Sequence, residues 1–148
     1  MKMKISIIFG LILSITVCYG QSANQLNDLL NKSIEKQILK KHLEQAIFLK
    51  ENVPSDFQFA KTVIDNCEVT FFDKRKYRKS ELKQGIRSFR LLPIVLKYNT
   101  LSITIASAFV SQEGNNITIS SSDYTTYEYR YSCEKMQWEL LDIKERGI

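Results

Sequence analysis

After Pro93 the sequence settles into a two-residue period, and that period restricts the fold more than any other feature. Leu101, Ile103, Ile105 and Phe109 alternate with Ser102, Thr104 and Ala106. Successive side chains of a strand point to opposite faces, so this pattern describes strands with one apolar face. Glu113-Gly114-Asn115-Asn116 has turn composition and should reverse the chain. Ile117 and Ile119 resume the alternation, and Tyr127, Tyr129, Tyr131 and Cys133 continue it on the same parity. Cys133-Glu134-Lys135 reads as another tight connection. A last strand is expected from Met136 to Lys144, with Trp138 and Leu140 on one face and Leu141 and Ile143 on the other. That change of parity requires a bulge at Leu140-Leu141 or a strand buried on both sides.

Ahead of Pro93 the spacing is helical. From about Ser22 to Lys50 the apolar residues are Leu26, Leu29, Leu30, Ile34, Ile38, Leu39, Leu43, Ala46, Ile47 and Leu49, and steps of three and four dominate, which places them on one helical face. Lysines and glutamates fill the other face, together with the sole histidine, His42. Pro54 closes this element. Ser55 and Gln58 have capping-box spacing, and Ala60, Val63, Ile64 and Cys67 then step as a second helix. Glu68–Phe72 is short, β-branched and aromatic, and reads as a strand. Ser80 could cap a third helix carrying Leu82, Ile86 and Phe89, weakened by Gly85 and ended by Pro93. Helices followed by a run of strands predict an α+β fold, with N-terminal helices packed on one face of a curved antiparallel β-sheet.

This order of elements resembles the nuclear transport factor two-like superfamily of cone-shaped α+β domains. The closing segment Gln137-Trp138-Glu139-Leu140-Leu141-Asp142-Ile143 is similar to the tryptophan-bearing last strand common there. The resemblance covers most of residues 22–146 and implies a cone that can hold a small molecule. Enzymes of this kind place an Asp or His base and a Tyr or Asp acid inside the cone. Here Tyr124, Tyr127, Tyr129 and Tyr131 are available, with Asp65 and Asp123 as carboxylates, but His42 lies on the outer helix face.

The N-terminus bears on location. Lys2 and Lys4 precede an apolar run from Ile5 to Val17, which ends at Cys18-Tyr19-Gly20 before polar Gln21-Ser22. That is the layout of a cleavable export signal, and the run is shorter than the roughly 20 residues of a membrane span. Residues 1–20 are therefore expected to be removed, leaving residues 21–148 as a single secreted or periplasmic α+β domain. Lipid attachment at Cys18, although that route favours a small residue where Val17 stands, and an uncleaved anchor are the alternatives. Removing Lys2 and Lys4 takes the net charge from +5 to +3, too mild to demand a nucleic acid. Cys67 and Cys133 remain, and an even pair in an exported chain reads as a disulfide, with two free thiols as the alternative.

Two constellations stand out as binding surfaces. Between Asp73 and Lys97 there are nine Lys or Arg against two acids, concentrated in Lys74, Arg75, Lys76, Arg78 and Lys79. Such a run suits an acidic protein, a phosphorylated lipid surface or a polyanionic glycan. With Tyr77 its only ring, it offers no stacking platform for nucleic acid. Tyr127, Tyr129 and Tyr131 would align on one sheet face, where they could line a pocket for a small molecule or pack as ordinary core. No metal-ligand spacing or phosphate-cradling glycine motif is present, and no cofactor is expected. An exported, non-catalytic binding or interaction domain is the reading that results. A small exported enzyme of cyclase or isomerase type is the alternative.

Overall fold

The computed structural model describes residues 24–147, so the apolar N-terminal run and its cleavage point lie outside the described residues. One long helix, α1 (residues 24–41), packs on a mixed sheet of eight strands in which antiparallel pairs predominate. The strands are β1 (Gln45–Phe48), β2 (Val63–Ile64), β3 (Cys67–Phe71), β4 (Ile86–Leu91), β5 (Val95–Lys97), β6 (Thr100–Glu113), β7 (Asn116–Ser132) and β8 (Gln137–Arg146). Their order is β2-β3-β1-β4-β6-β7-β8, and β5 pairs with β6 off that path. A 3-10 turn at Lys74–Lys76 and a short helix α2 (Lys79–Gln84) connect β3 to β4.

The α+β class is as expected, but the front of the chain differs from its helical reading. The first helix stops at residue 41, where His42 takes a positive φ of 47°. Ala46, Ile47, Phe48 and Leu49 are then consecutively buried. That is the signature of an interior strand covered on both faces, and β1 lies parallel to both β3 and β4. Leu43, Ala46 and Ile47 fit a helical spacing equally well, because short apolar runs do not discriminate between the two.

The expected second helix is a loop followed by the β2–β3 hairpin. Asp65 and Asn66 make its turn with φ of 48° and 64°, a conformation that Asp and Asn tolerate better than most residues. The loop is tied to α1 through Asn31, whose side chain accepts from Ala60 N–H at 2.8 Å and donates to the Gln58 carbonyl at 3.2 Å. This holds Phe57 and Phe59 against Phe48 and Phe71. The third helix is only α2, capped at Arg78 rather than Ser80, and Ile86 and Phe89 belong to β4.

The strand-rich half follows its period closely. Gly114 takes a positive φ in the β6–β7 turn, and β8 ends the sheet. The β7–β8 register steps from Glu128↔Asp142 to Tyr129↔Leu140, leaving Leu141 as the extra residue. The parity change at Leu140-Leu141 is thus a β-bulge.

A second bulge was not legible from the parity. On β6–β7 the pairing passes from Ala106↔Tyr124 to Ala108↔Ser121, so Ser122 and Asp123 oppose the single residue Ser107. One added residue transfers every later side chain to the other face. Tyr127 and Tyr129 therefore face α1, whereas Ile119 lies on the opposite face with Leu49, Ala108 and Val110.

The Cys67–Cys133 disulfide is overturned. Both thiols are free, Cys67 buried and Cys133 exposed. Cys67 begins β3 and Cys133 follows β7, with β1, β4 and β6 between those strands. Neighbouring strands are about 4.8 Å apart. Four such steps far exceed the roughly 7 Å between Cα atoms that a disulfide can bridge. Burial pushes the Cys67 thiol pKa up.

Candidate functional site

α1 is shorter than the strands beneath it. A helix over residues 24–41 spans about 27 Å at about 1.5 Å per residue. The fourteen residues of β6 span about 48 Å. The helix covers Leu101, Ile103 and Ile105 on β6 together with Tyr127 and Tyr129 on β7, and this part is filled core. Tyr127 and Tyr129 are 1% and 2% exposed. Their hydroxyls are engaged by the helix: Tyr127 donates to Gln37 Oε1 at 2.8 Å, and Tyr129 shares a hydrogen bond with Ser33 Oγ at 2.9 Å. Burial raises both phenol pKa values. Tyr131 packs edge-on against Trp138. The three tyrosines act in packing, with Tyr127 and Tyr129 closed off from solvent.

Beyond residue 41 the same sheet face is uncovered and forms a cleft of about 410 Å³. Leu43, Phe89 and Phe109 give it an apolar side, and Lys41, Arg87, Ser107 and Asp123 a polar one. The β6–β7 bulge positions the polar group. It turns Asp123 toward the end of α1, where Lys41 Nζ stands 2.6 Å from Asp123 Oδ2 and 3.0 Å from Ser107 Oγ. Ser107 donates to Asp123 Oδ2 at 2.9 Å, and Ser122 donates to Oδ1 at 2.8 Å. Ser120 and Ser121 add further hydroxyls along the rim.

The Lys41 hydrogen bond is the main reason that the Asp123 pKa falls from 3.8 to about 2, with Ser122 and Ser107 assisting against partial desolvation. At neutral pH Asp123 is therefore an anion and a very weak base. A general base works best with a pKa near the operating pH, so Asp123 is poorly matched to proton abstraction. Ser107 accepts from an ammonium and donates to a carboxylate, which leaves it no basic neighbour to activate it. The arrangement suits binding. A lysine ammonium has three donors, of which Asp123 and Ser107 engage two. Arg87 shares the cleft face through its pairing with Phe109, and it makes no ion pair among the described residues.

The basic run lies in the β3–β4 connection, and none of its five residues is among those that line the cleft. Lys74, Arg75, Lys76, Arg78 and Lys79 are all exposed. Arg75 is engaged by Asp73 through Nε at 3.0 Å and a second nitrogen at 2.9 Å, and this pairing holds the Asp73 carboxyl at about 2. The stack of Phe72 on Tyr77, with ring centroids 5.4 Å apart, anchors the segment. α2 then ends at Gly85, where φ is 91° and the Phe109 ring lies directly against the backbone. Any Cβ at Gly85 would stand 1.9 Å from Phe109 Cε1, so glycine is required both by the turn and by the ring.

The other sequence candidates fall elsewhere. His42 is an exposed residue at the end of α1, its N–H donating to the Ile38 carbonyl at 3.1 Å. Asp65 is in the β2–β3 turn, and Tyr124 pairs with Ala106, away from the Tyr127 side of β7. Lys41, Arg87 and Ser107 are far apart in the chain, and no linear motif joins them. One signal was available: the polar run Ser120-Ser121-Ser122-Asp123 interrupts the alternation between Ile119 and Tyr124. Among the described residues no three of His, Cys, Asp and Glu converge as a metal site would need, and no helix is long and apolar enough to cross a membrane. Set against known proteins, the chain matches no family model, no curated protein and no solved structure.

Proposed function

We propose that this protein is an exported, non-catalytic binding domain whose cleft beyond α1 takes a small anionic molecule with an apolar part. The observation that carries this reading is the pairing of Lys41 and Arg87 with Phe89 and Phe109 in one cleft of about 410 Å³. That volume is within the range of small-ligand sites, which combine apolar walls with a few placed polar groups. An anion would meet Arg87, the remaining donor of Lys41 and the serine hydroxyls, while its apolar part lies along Phe89 and Phe109. Asp123 keeps Lys41 in position and disfavours a second carboxylate at the Asp123 end. Export rests on the Lys2–Gly20 layout of the sequence, and a secreted or periplasmic location follows from it. The likeness to the nuclear transport factor two-like superfamily belongs to the same proposal. It concerns element order and the closing segment Gln137–Ile143, and of the residues named for it Asp123 alone lies in the cleft.

Isothermal titration with hexyl sulfate and, separately, hexanol tests the ligand class. Hexyl sulfate should bind and hexanol should bind at least about tenfold more weakly, the value of one charge-assisted hydrogen bond. Arg87→Gln should remove most of that difference. Equal affinities for the two probes, or indifference to Arg87→Gln, would discard the cleft as an anion site.

A second reading follows from the exposure of Lys74, Arg75, Lys76, Arg78 and Lys79: an acidic protein docks on this segment. Changing all five to Gln should weaken capture of such a partner from envelope extract. The loss should shrink at high salt, because exposed charges are screened over about 8 Å at physiological ionic strength.

A further inference from the structure

The end of the sheet opposite the cleft carries an unusual surface. The three most exposed large apolar side chains among the described residues are Tyr98 at 91%, Met136 at 73% and Leu96 at 62%. All three lie at one end. Lys97 pairs with Thr100, Thr100 with Arg130, and Ser132 with Gln137, which sets the β5–β6 turn beside the β7–β8 turn. Tyr131 N–H donates to the Asn99 carbonyl at 3.1 Å and ties the two together.

Local backbone preference does not explain these residues. Tyr98 and Met136 occupy positive φ, 55° and 51°, where Gly or Asn would be the comfortable choice. Each turn thus holds a large apolar side chain in an unfavourable backbone conformation and directs it into water. Strain kept at an exposed tip points toward an interaction made there. Lys97 lies over the Tyr98 ring at 5.7 Å, giving an aromatic body with a cationic rim, and Arg130 is exposed beside it. Tyrosine with flanking lysine or arginine is the composition of a membrane–water interface.

The start of the chain converges on the same end. Gln25, Asp28 and Leu29, in the first turns of α1, stand beside Gln137 and Trp138 at the start of β8. Residue 24, the first described, therefore enters the fold at this same end.

We propose that the Leu96–Tyr98 and Met136 turns form a lipid-docking tip, which seats this end of the domain on the surface of a bilayer. Apolar insertion is the main contribution. Lys135 is neutralised by Glu139 at 2.5 Å, and Glu134 offsets part of the charge of Lys97 and Arg130, so anionic headgroups add only modestly. The orientation leaves the cleft beyond residue 41 facing away from the membrane and open to solvent. This proposal does not depend on the ligand class of the cleft.

The chain from Gln21 holds the entire described fold and its core, and it lacks the apolar N-terminal run that would bind lipid by itself. It should co-sediment with phosphatidylcholine vesicles, and within a few-fold as well when phosphatidylglycerol is included. Trp138, the single tryptophan, is two residues from Met136, so its emission should be quenched by lipids with brominated acyl chains. The triple variant Leu96→Thr, Tyr98→Asn, Met136→Asn should lose about tenfold or more in partitioning. It should melt at the same or a higher temperature, because Asn tolerates positive φ better than Tyr or Met. Ile117→Asn, beside the opposite turn, should change neither partitioning nor quenching. The proposal fails if the unmodified chain does not sediment, if binding requires phosphatidylglycerol, or if Ile117→Asn loses as much as the triple variant. A concentration-dependent dimer without lipid, abolished by the triple variant, would assign the tip to a second copy of this chain and overturn the membrane reading.

Discussion

The two halves of the helix-side sheet face share β6 and β7 and differ first in what covers them. Under α1, Leu101, Ile103 and Ile105 meet Tyr127 and Tyr129, and the tyrosine hydroxyls are bonded to Ser33 and Gln37. Past residue 41, Ser107 and Phe109 continue the same face of β6, yet they line an open cleft with Lys41, Arg87 and Asp123. The bulge at Ser122-Asp123 accompanies the change. Below it the buried residues Ala108 and Val110 lie on the other face, under Leu49, Phe72 and Ile86. The cleft thus arises where the helix ends and the apolar face of the ladder changes sides.

The largest effect expected from this contrast is in stability. Ile103→Ala, beneath α1, should cost about 3 kcal/mol through lost burial and a residual cavity. Phe109→Ala, in the cleft, should cost less than about 1 kcal/mol, because part of the ring is already in water. Urea unfolding of both variants measures the difference, and similar losses would mean that the cleft half is core.

Gly85→Ala comes next. It combines a positive φ with a Cβ set against the Phe109 ring, and should cost about 2 kcal/mol. In a Phe109→Ala background the steric part is relieved, leaving about 1 kcal/mol from the backbone. A double-mutant cycle separates the two, and full additivity would show that ring and glycine are not in contact.

Tyr127→Phe should cost about 1 kcal/mol, because Gln37 is buried, its Oε1 loses its donor, and its Nε2 has no partner among the described residues. Tyr127→Phe with Gln37→Met should recover much of that loss, since removing both partners leaves nothing unsatisfied. A double variant less stable than either single one would indicate that the Gln37 amide has another role.

The smallest effect belongs to the Lys41–Asp123 pair, whose side chains are both partly exposed to water, which limits it to less than about 1 kcal/mol. The Asp123 pKa is lowered by folding, from 3.8 to about 2. Its contribution is therefore complete above the ordinary carboxylate range and disappears as pH falls through about 2. Unfolding of the native chain and of Asp123→Asn should differ at pH 6 and converge near pH 2. A difference that grows on acidification would reverse this assignment.

Much of the back half was legible in the residues. Alternation in 101–109, the Gly114 turn and the Leu140-Leu141 parity change each have a local cause and each appear in the sheet. The front half was less legible. Residues 43–49 carry a pattern compatible with helix or strand, and only the presence of β3 and β4 on either side makes the strand the one that buries Ala46 through Leu49. The basic run was visible as composition, while its partial neutralisation by Asp73 depends on a turn that brings residues 73 and 75 together. The cleft was almost invisible. Lys41 ends a helix, Ser107 interrupts a strand and Asp123 follows three serines, with nothing in the spacing to join them.

The sequence by itself determined the class, because a two-residue period after Pro93 and a period of about 3.6 residues near the start mark strands and a helix before any long-range contact forms. It also determined where positive charge is concentrated and where the chain must turn. The tertiary structure alone decided that Cys67 and Cys133 stay apart, that Tyr127 and Tyr129 close the core, and that Lys41 meets Asp123. Each of these depends on strand order, on the point where α1 ends over the sheet, or on one inserted residue in β7. Such features are set by pairing between distant segments, and local side-chain periodicity carries no record of them.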